Sequence, residues 1–313
     1  MYRSILVPLD SSSFGEQALP LALSIARRAG ASVEVAHVHE TLAPIFSQPM
    51  AGLEGAWDKE IRAQRSAYLA GVIKRLTSQT NVPLVPAFLE GAVVDAILQR
   101  VSSQKIDLIV MTTHGHGAVA RFWLGSVADE LVRHSPVPVL LVRPQEAKPA
   151  SAVQKEPILR KFLISLDGSP LSESILEKAI PLARFMQAEL FLIRLIQPIV
   201  LGNVGIPEPT SGVMAPSAME KLEKWHKERQ QEATFYLEKV TATLRSSSLT
   251  VRTKVVSHEQ PAVAILDEAR THGADVIAIE THGRSGLSRF FLGSIADKVI
   301  RGATVPVLVH HGS

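Results

Sequence analysis

The sequence predicts an α/β protein: two tandem copies of a five-stranded, parallel-sheet domain with a Rossmann-like or flavodoxin-like layout. Three observations predict it. The chain repeats itself once. Within each copy, short apolar runs rich in Val and Ile alternate with stretches of helical period. A length of 313 residues accommodates two domains of ordinary size.

The repeat is direct. Residues 113–142 align with residues 281–310 without a gap, and fifteen of the thirty positions are identical. Residues 5–38 lie over residues 162–195. Asp10 falls on Asp167, an offset of 157, and Gly115 falls on Gly283, an offset of 168. The second copy therefore carries eleven extra residues between these blocks, placed mainly in the Pro- and Gly-rich stretch 197–217. The period is too long for a solenoid repeat. Residues 143–157 are polar, contain three prolines and read as the join. The expected domains are 1–144 and 159–313, with a linker over 145–158.

Each element has its own signal. Residues 4–9 (SILVPL) are a short apolar run, the mark of a buried strand. Residues 16–30 have helical spacing and stop at Gly30. Residues 32–38 give the second strand. Beyond a loop at 41–57, residues 58–79 form a long amphipathic helix. A weaker strand over 83–90 precedes a helix over 93–104 and a strong buried strand, DLIVMTT, over 107–113. A helix over 126–135 and a strand over 137–143 close the unit. The second copy follows the same course, and its long helix over 220–245 carries a charged, solvated face. Strands alternating with helices imply a parallel sheet covered on both sides.

Composition narrows the functions. The chain is 46% hydrophobic and 20% charged, which excludes disordered, collagen-like and coiled-coil proteins. Lys plus Arg number 33 against 30 Asp plus Glu, with no basic block, so charge gives nucleic acid no footing. The absence of cysteine excludes disulfides, thiolate zinc sites, iron–sulfur clusters and cysteine nucleophiles. The N-terminal apolar run is too short for a signal peptide, and no run of 18 apolar residues spans a membrane. The expectation is a soluble cytoplasmic chain without membrane partners.

Ligands of open α/β sheets bind beyond the carboxyl ends of the strands, at the switch point. Two segments are expected there: Pro8, Leu9, Asp10, Ser11 and Ser12 after the first strand, and Met111 to Gly117 after the fourth. Gly115 and Gly117 allow backbone to approach an anion. Gly125 and Ser126 set free N–H groups at a helix start, where phosphate is favoured. Asp10 suits a ribose hydroxyl. The same residues also read as ordinary turns, with Ser126 and Ser294 as helix caps and Asp10 capping the first helix. Neither a P-loop nor a GxGxxG turn is present.

At these residues the chain resembles the universal stress protein family. The family signature is Gly-x-x-Gly, nine residues, then Gly-Ser or Gly-Thr. Gly115 is followed by nine residues and Gly125-Ser126; Gly283 is followed by nine and Gly293-Ser294. The phrases THG, LGS and VPVL and the strand-ending Leu-Asp-Ser and Leu-Asp-Gly-Ser are also similar. The resemblance covers both copies and implies a fold like that of the adenine nucleotide alpha hydrolases. One branch of the family binds adenine nucleotides and another does not.

For the first copy the resemblance implies that Pro8, Leu9 and Asp10 line the base and ribose, and that the Val38 backbone bonds the adenine. It implies Met111 and Thr112 beside the sugar, and Gly115, Gly125, Ser126 and Val127 on the phosphates. Asp167, Leu195, Gly283, Gly293, Ser294 and Ile295 would take the matching places in the second copy. Both copies depart from the signature at its first glycine, where Thr112 and Glu280 stand. Glu280 would bring negative charge toward phosphates, with Arg284 nearby to offset it. Ser165 replaces Pro8 and Leu195 replaces Val38 in the second copy.

Other motifs have plain readings. His37-x-His39, His114-x-His116 and His310-His311 lack zinc-site spacing, so no metal ligand is assigned. Asp129 and Asp297 suit the first helical turn. Arg121-Phe122 and Arg289-Phe290 recur in the glycine loop, as a phosphate contact and a packing residue. The loops 41–57 and 197–217 hold Ile45, Phe46, Val200 and Met214, which would cover the cleft or meet another chain. The resemblance implies that the last strand of each copy, VPVLLV and VPVLVH, is a pairing edge between domains; an exposed apolar edge needs a partner, which the two copies would give each other within the chain, leaving room for a homodimer.

The expected function is a stress-response regulator that binds ATP, ADP or AMP, with magnesium travelling with ATP, slow hydrolysis at most and no assigned catalytic residue. The alternative is an interaction module working through loops and edge strands, with Thr112 and Glu280 marking vacated pockets. An ATP-dependent enzyme is a third reading.

Overall fold

The computed structural model describes residues 2–40, 51–113, 124–144, 156–198, 216–244, 249–281 and 292–311. The first half contains β1 (Ser4–Leu9), α1 (Leu19–Ala29), β2 (Ser32–His39), α2 (Ala51–Thr77), β3 (Leu84–Glu90), α3 (Val93–Ser103), β4 (Leu108–Thr112), α4 (Ser126–His134) and β5 (Val139–Val142). The second contains β6 (Lys161–Leu166), α5 (Pro170–Met186), β7 (Glu189–Ile196), α6 (Pro216–Leu244), β8 (Val251–Ser257), α7 (Pro261–His272), β9 (Val276–Glu280), α8 (Ser294–Gly302) and β10 (Val307–His310).

Two helix starts differ from the sequence expectation. The first helix opens as a 3-10 turn over Gly15–Ala18 and becomes α-helical at Leu19. Pro20, which has no N–H to donate, sits in the first α-helical turn, where that loss is harmless. Helix α2 begins at Ala51, within what the sequence reads as loop. Each residue added to an existing helix gains a hydrogen bond without a new nucleus, so two glycines do not stop it.

The strands form one sheet of order β3-β2-β1-β4-β5-β10-β9-β6-β7-β8. Each half has the 3-2-1-4-5 order of a Rossmann half rather than the 2-1-3-4-5 order of flavodoxin. All pairs are parallel except β5 with β10, where Val139 faces Val309 and Leu141 faces Val307 in antiparallel register. Side chains alternate across the sheet and feed two cores. One, under α1, α2, α5 and α6, includes Ile5, Val7, Leu69, Phe162, Ile164 and Leu237. The other, under α3, α4, α7 and α8, includes Leu6, Ile97, Leu131, Leu163, Ile265 and Val299. Ile5, Leu6 and Phe162 are wholly buried, each contributing about 1.5–3 kcal/mol of apolar transfer free energy.

Polar bonds also tie the halves. The Tyr2 hydroxyl donates to the Lys178 carbonyl at 2.8 Å, and Ser24 Oγ holds the end of the linker through the Pro157 carbonyl at 2.6 Å. Arg143 Nη1 donates to the carbonyls of Arg301 and Ala303, at 3.3 and 2.8 Å, at the C-terminus of α8. On α6 the buried positions are Ala233, Leu237, Val240 and Leu244, a narrow stripe that leaves the charged face in solvent.

Candidate functional site

The strand order reverses between β1 and β4, which pair through Ile5–Leu108 and Leu6–Ile109. The crevice lies beyond their carboxyl ends. Pro8 and Leu9 end β1 beside Ala36 and His37 of β2. Leu9 is buried in the α1–α2 core and Met111 in the α3–α4 core, so each meets the crevice through its backbone. Val38 stands at the end of β2 opposite Leu89, and Thr112 ends β4 opposite Val142. The structure thus gathers Pro8, Leu9, Asp10, Val38, Met111 and Thr112 at one sheet edge.

The first turn is built on the aspartate. Asp10 Oδ1 accepts from the N–H and hydroxyl of Ser12, at 3.0 and 2.6 Å, and Ser12 Oγ accepts from the Gly15 N–H at 3.0 Å. Asp10 therefore braces the serine that caps the Gly15 N–H. The second half repeats this: Asp167 Oδ1 accepts from the N–H and hydroxyl of Ser169, at 2.8 and 2.6 Å, and Ser169 caps Ser172 N–H at 3.1 Å. Between aspartate and serine the backbone is left-handed, at φ +69° for Ser11 and +83° for Gly168. Ser11 holds this conformation at roughly 1 kcal/mol of strain.

The opposite wall is set by β4 and α4. The Gly125 N–H donates to the Thr113 carbonyl at 2.8 Å, and the Gly293 N–H to the Thr281 carbonyl at 2.8 Å. Gly125 and Gly293 are themselves the N-caps, at φ −61° and ψ 151° and at φ −59° and ψ 140°. The expectation that Ser126 and Ser294 are caps is thereby corrected, since each is the first helical residue. A glycine has no capping side chain, and no side-chain bond caps α4 or α8 among the described residues. The first-turn N–H groups, including those of Val127 and Ile295, have no intrahelical acceptor by the geometry of any helix. Ser126 and Ser294 are exposed. Asp129 and Asp297 turn along their helices to Arg133 and Arg301, at 2.9 and 2.7 Å.

Beneath the first turn each half carries a polar cluster that sequence reading missed. His37 is 4% exposed and its Nδ1 lies 2.8 Å from the Leu9 carbonyl. A carbonyl only accepts, so Nδ1 carries the proton and Nε2 is an acceptor; Nε2 has no partner among the described residues. Burial lowers the His37 pKa, the Leu9 carbonyl partly offsets this, and Arg65 adds to the lowering. Tyr68 packs edge-on to His37 and donates to Glu16 at 2.9 Å, and Arg75 pairs with the same carboxylate. Burial and the Glu16 bond hold the Tyr68 phenol far above its ordinary pKa.

In the second half Arg194 takes the place of His37. It is 7% exposed, and its guanidinium lies 4.6 Å from the Tyr236 ring centre. A Cβ on Gly168 would fall inside that guanidinium. Burial, then the neighbouring Glu173, raises the Tyr236 pKa. Copy one places its cation on α2, as Arg75; copy two has Thr243 there and carries the charge on β7. The signal was present in the repeat, because Glu16 and Tyr68 recur as Glu173 and Tyr236.

The two departures from the glycine signature are both buried. Glu280 Oε2 accepts from Ser174 Oγ at 2.6 Å and lies 3.1 Å from His310 Nδ1, while Oε1 accepts from the Thr281 N–H at 3.1 Å. The carboxylate is therefore engaged with α5 and β10. Thr281 Oγ1 and His311 Nδ1 are 3.2 Å apart. His39 Nε2 lies 3.0 Å from Asp58 and its Nδ1 3.2 Å from Arg65. No group of three or more His, Asp or Glu with metal-site geometry occurs among the described residues.

Asp167, Leu195, Gly293, Ser294 and Ile295 occupy positions matching those in the first half, and Leu195 faces Val256. Gly115 and Gly283 lie outside the described residues, as do His114, His116, Gly117, Arg121, Phe122, His282, Arg284, Arg289 and Phe290. Ile45, Phe46, Val200, Met214 and most of the linker also lie outside them.

No helix among the described residues is long and apolar enough to cross a membrane. Over its whole length the fold is similar to the crystal structure of a universal stress protein from Archaeoglobus fulgidus, with a TM-score of 0.65 at 18% identity, covering 98% of this chain and 97% of that one. In sequence the chain is 35% identical over 145 residues to a universal stress protein of Thermus aquaticus, covering 46% of this chain and all of that protein. It is 29% identical over 145 residues to one of Methanocaldococcus jannaschii, covering 46% of this chain and 83% of that protein. The model of the universal stress protein family matches twice, at residues 1–143 and 159–311. With two such matches spanning nearly all of its length, this chain belongs to the universal stress protein family, in a tandem two-domain form.

Proposed function

We propose that the chain is an adenine-nucleotide-binding regulator of a stress response, with ATP, ADP or AMP seated across the carboxyl ends of β1 and β4, and of β6 and β9. One observation carries this reading. In both halves a carboxylate, Asp10 or Asp167, follows one of the two strands that pair at the switch point of the sheet, and a glycine-capped helix start, Gly125-Ser126 or Gly293-Ser294, is tied to the end of the other. The carboxylate suits ribose hydroxyls, and the first-turn N–H groups suit phosphate. The Val38 and Leu195 backbones suit the base edge.

Magnesium would arrive with the triphosphate and be held by phosphate and water. The chain would act as a nucleotide-dependent switch rather than a fast catalyst. The halves are read as domains 1–144 and 159–313 joined by 145–158, standing to each other as an internal pseudo-dimer, with homodimerisation of the whole chain compatible with this. The cytoplasm is the proposed compartment, in keeping with a cysteine-free chain.

The test is to denature freshly purified protein and identify and count the released nucleotide by chromatography and mass spectrometry. One or two adenine nucleotides per chain are expected. Release of none, together with no heat of binding on addition of ATP, would overturn the proposal.

A further inference from the structure

Helix α2 is longer than the strands it covers. Its 27 residues extend about 40 Å at 1.5 Å per residue, against about 26 Å for the 8 residues of β2. The C-terminal half packs on the sheet through Leu69, Val72 and Leu76. The N-terminal turns therefore stand at and beyond the edge that bears the crevice. Asp58 marks the height, since it meets His39, the last residue of β2, at 3.0 Å. The next residue toward the helix start is Trp57, which is 67% exposed.

Helical geometry gives the bearing of that indole. Tyr68 follows Trp57 by eleven residues, about three full turns, so both lie within about 20° of one bearing on the helix. Tyr68 reaches Glu16 and the His37 ring, so this flank looks toward the first turn and the crevice. The flank toward β3 is a different one, where Arg62 pairs with Glu90 at 2.5 Å. Trp57 thus lies on the flank of α2 that Tyr68 shares, one residue before Asp58, which meets His39 at the end of β2.

The second half repeats the arrangement. Trp225 precedes Tyr236 by the same eleven residues and is 38% exposed. Among the residues that α2 and α6 share, Leu69, Val72, Leu76, Leu237, Val240 and Leu244 are core. Core packing does not account for a tryptophan held at the same exposed position in both helices.

We propose that Trp57 and Trp225 are base-stacking residues, each covering the purine of a nucleotide bound in its own half. The proposal rests on the nucleotide reading above. It places an aromatic face at the base end of each crevice, beside the Val38 or Leu195 backbone, where base edge and base face are read together. The site then discriminates a nucleotide from a polyphosphate or sugar phosphate that offers the helix start the same anion.

The experiment uses the full chain, freed of nucleotide by apyrase and dialysis, with Trp123→Phe so that only Trp57 and Trp225 emit. ATP should quench the fluorescence. Trp57→Ala and Trp225→Ala should each weaken ATP binding about tenfold at one site by calorimetry, the effect of losing one base–aromatic stack. Phe at either position should restore affinity to within about threefold, and the melting temperatures should not move. Ribose 5-triphosphate, which has no base, should bind the Ala variants and the parent alike. ATP affinity unchanged in both Ala variants would overturn stacking while leaving nucleotide binding intact. A parent chain that takes no ATP would overturn both.

Discussion

The Thr113 carbonyl accepts the N–H of Gly125 at 2.8 Å, and 168 residues later Thr281 and Gly293 make the same bond at 2.8 Å. This contact ties the end of a buried strand to the start of the helix that follows it. It holds the start of α4, and of α8, against the strand that pairs with the one leading to Asp10 or Asp167.

Gly293→Ala should loosen that tie. A Cβ at Gly293 would lie 2.5 Å from the Thr281 carbonyl oxygen, and backbone cannot yield as a flexible side chain does. We expect a loss of about 1–3 kcal/mol, read from thermal or urea unfolding, and weaker nucleotide retention by the second half. Unchanged stability would show that α8 starts elsewhere.

Gly168→Ala should be destabilising for two reasons, the left-handed φ of +83° and the guanidinium of Arg194. The conformational part alone is worth about 1 kcal/mol or more. Arg194→Ala in the same chain should remove the steric part, so the double variant should be more stable than additivity predicts, by about 0.5–3 kcal/mol. Strict additivity in a double-mutant cycle would mean that Arg194 does not pack on the turn.

Glu280→Thr should be costly although Thr112 fills the same position in the first half. The substitution leaves the buried His310 and the half-buried Ser174 without their carboxylate, a loss of about 3 kcal/mol. Adding His310→Val, the counterpart of Val142, should recover most of it. Denaturant midpoints for the single and double variants decide the matter.

The acid limb of stability should report on His37. Its folded pKa lies below the ordinary value near 6.5, so between the two the unfolded chain binds more protons than the folded one. The contribution is full above about pH 6.5 and is lost as pH falls toward the lowered folded value. His37→Gln should flatten that limb. At the alkaline end the sign reverses. The Tyr68 and Tyr236 phenols have raised pKa values, so their contribution is present below about pH 10 and lost as pH rises beyond it. Stability measured from pH 4 to 11 on parent and His37→Gln checks both signs.

Arg143→Ala should weaken the join between halves. Its guanidinium satisfies two terminal carbonyls of α8, and losing those bonds should cost about 1–2 kcal/mol. Calorimetry should then show a broader or split transition, as the two halves unfold with less coupling.

Much of the fold was legible because the relevant signals are local. Val- and Ile-rich runs mark buried strands, as in SILVPL and DLIVMTT, and helical period marks the elements between them. The repeat then doubles every inference. The start of α2 was not legible, because two glycines and no cap read as loop while helix propagation decides otherwise. The capping role of Gly125 was not legible either, since a serine beside it satisfies the usual preference.

By itself the sequence determined that two homologous α/β units lie in one cysteine-free chain, and which strand ends and helix starts carry the family signature. Only the tertiary structure decided which way side chains turn from those positions. It directed Glu280 toward Ser174 and His310, set Arg194 against Gly168 where His37 meets the Leu9 carbonyl, and joined β5 to β10 in antiparallel register. The physical reason is range. Propensity and periodicity act over a few residues, whereas the partner of a buried polar group is chosen by groups more than a hundred residues away, as with Ser174 for Glu280.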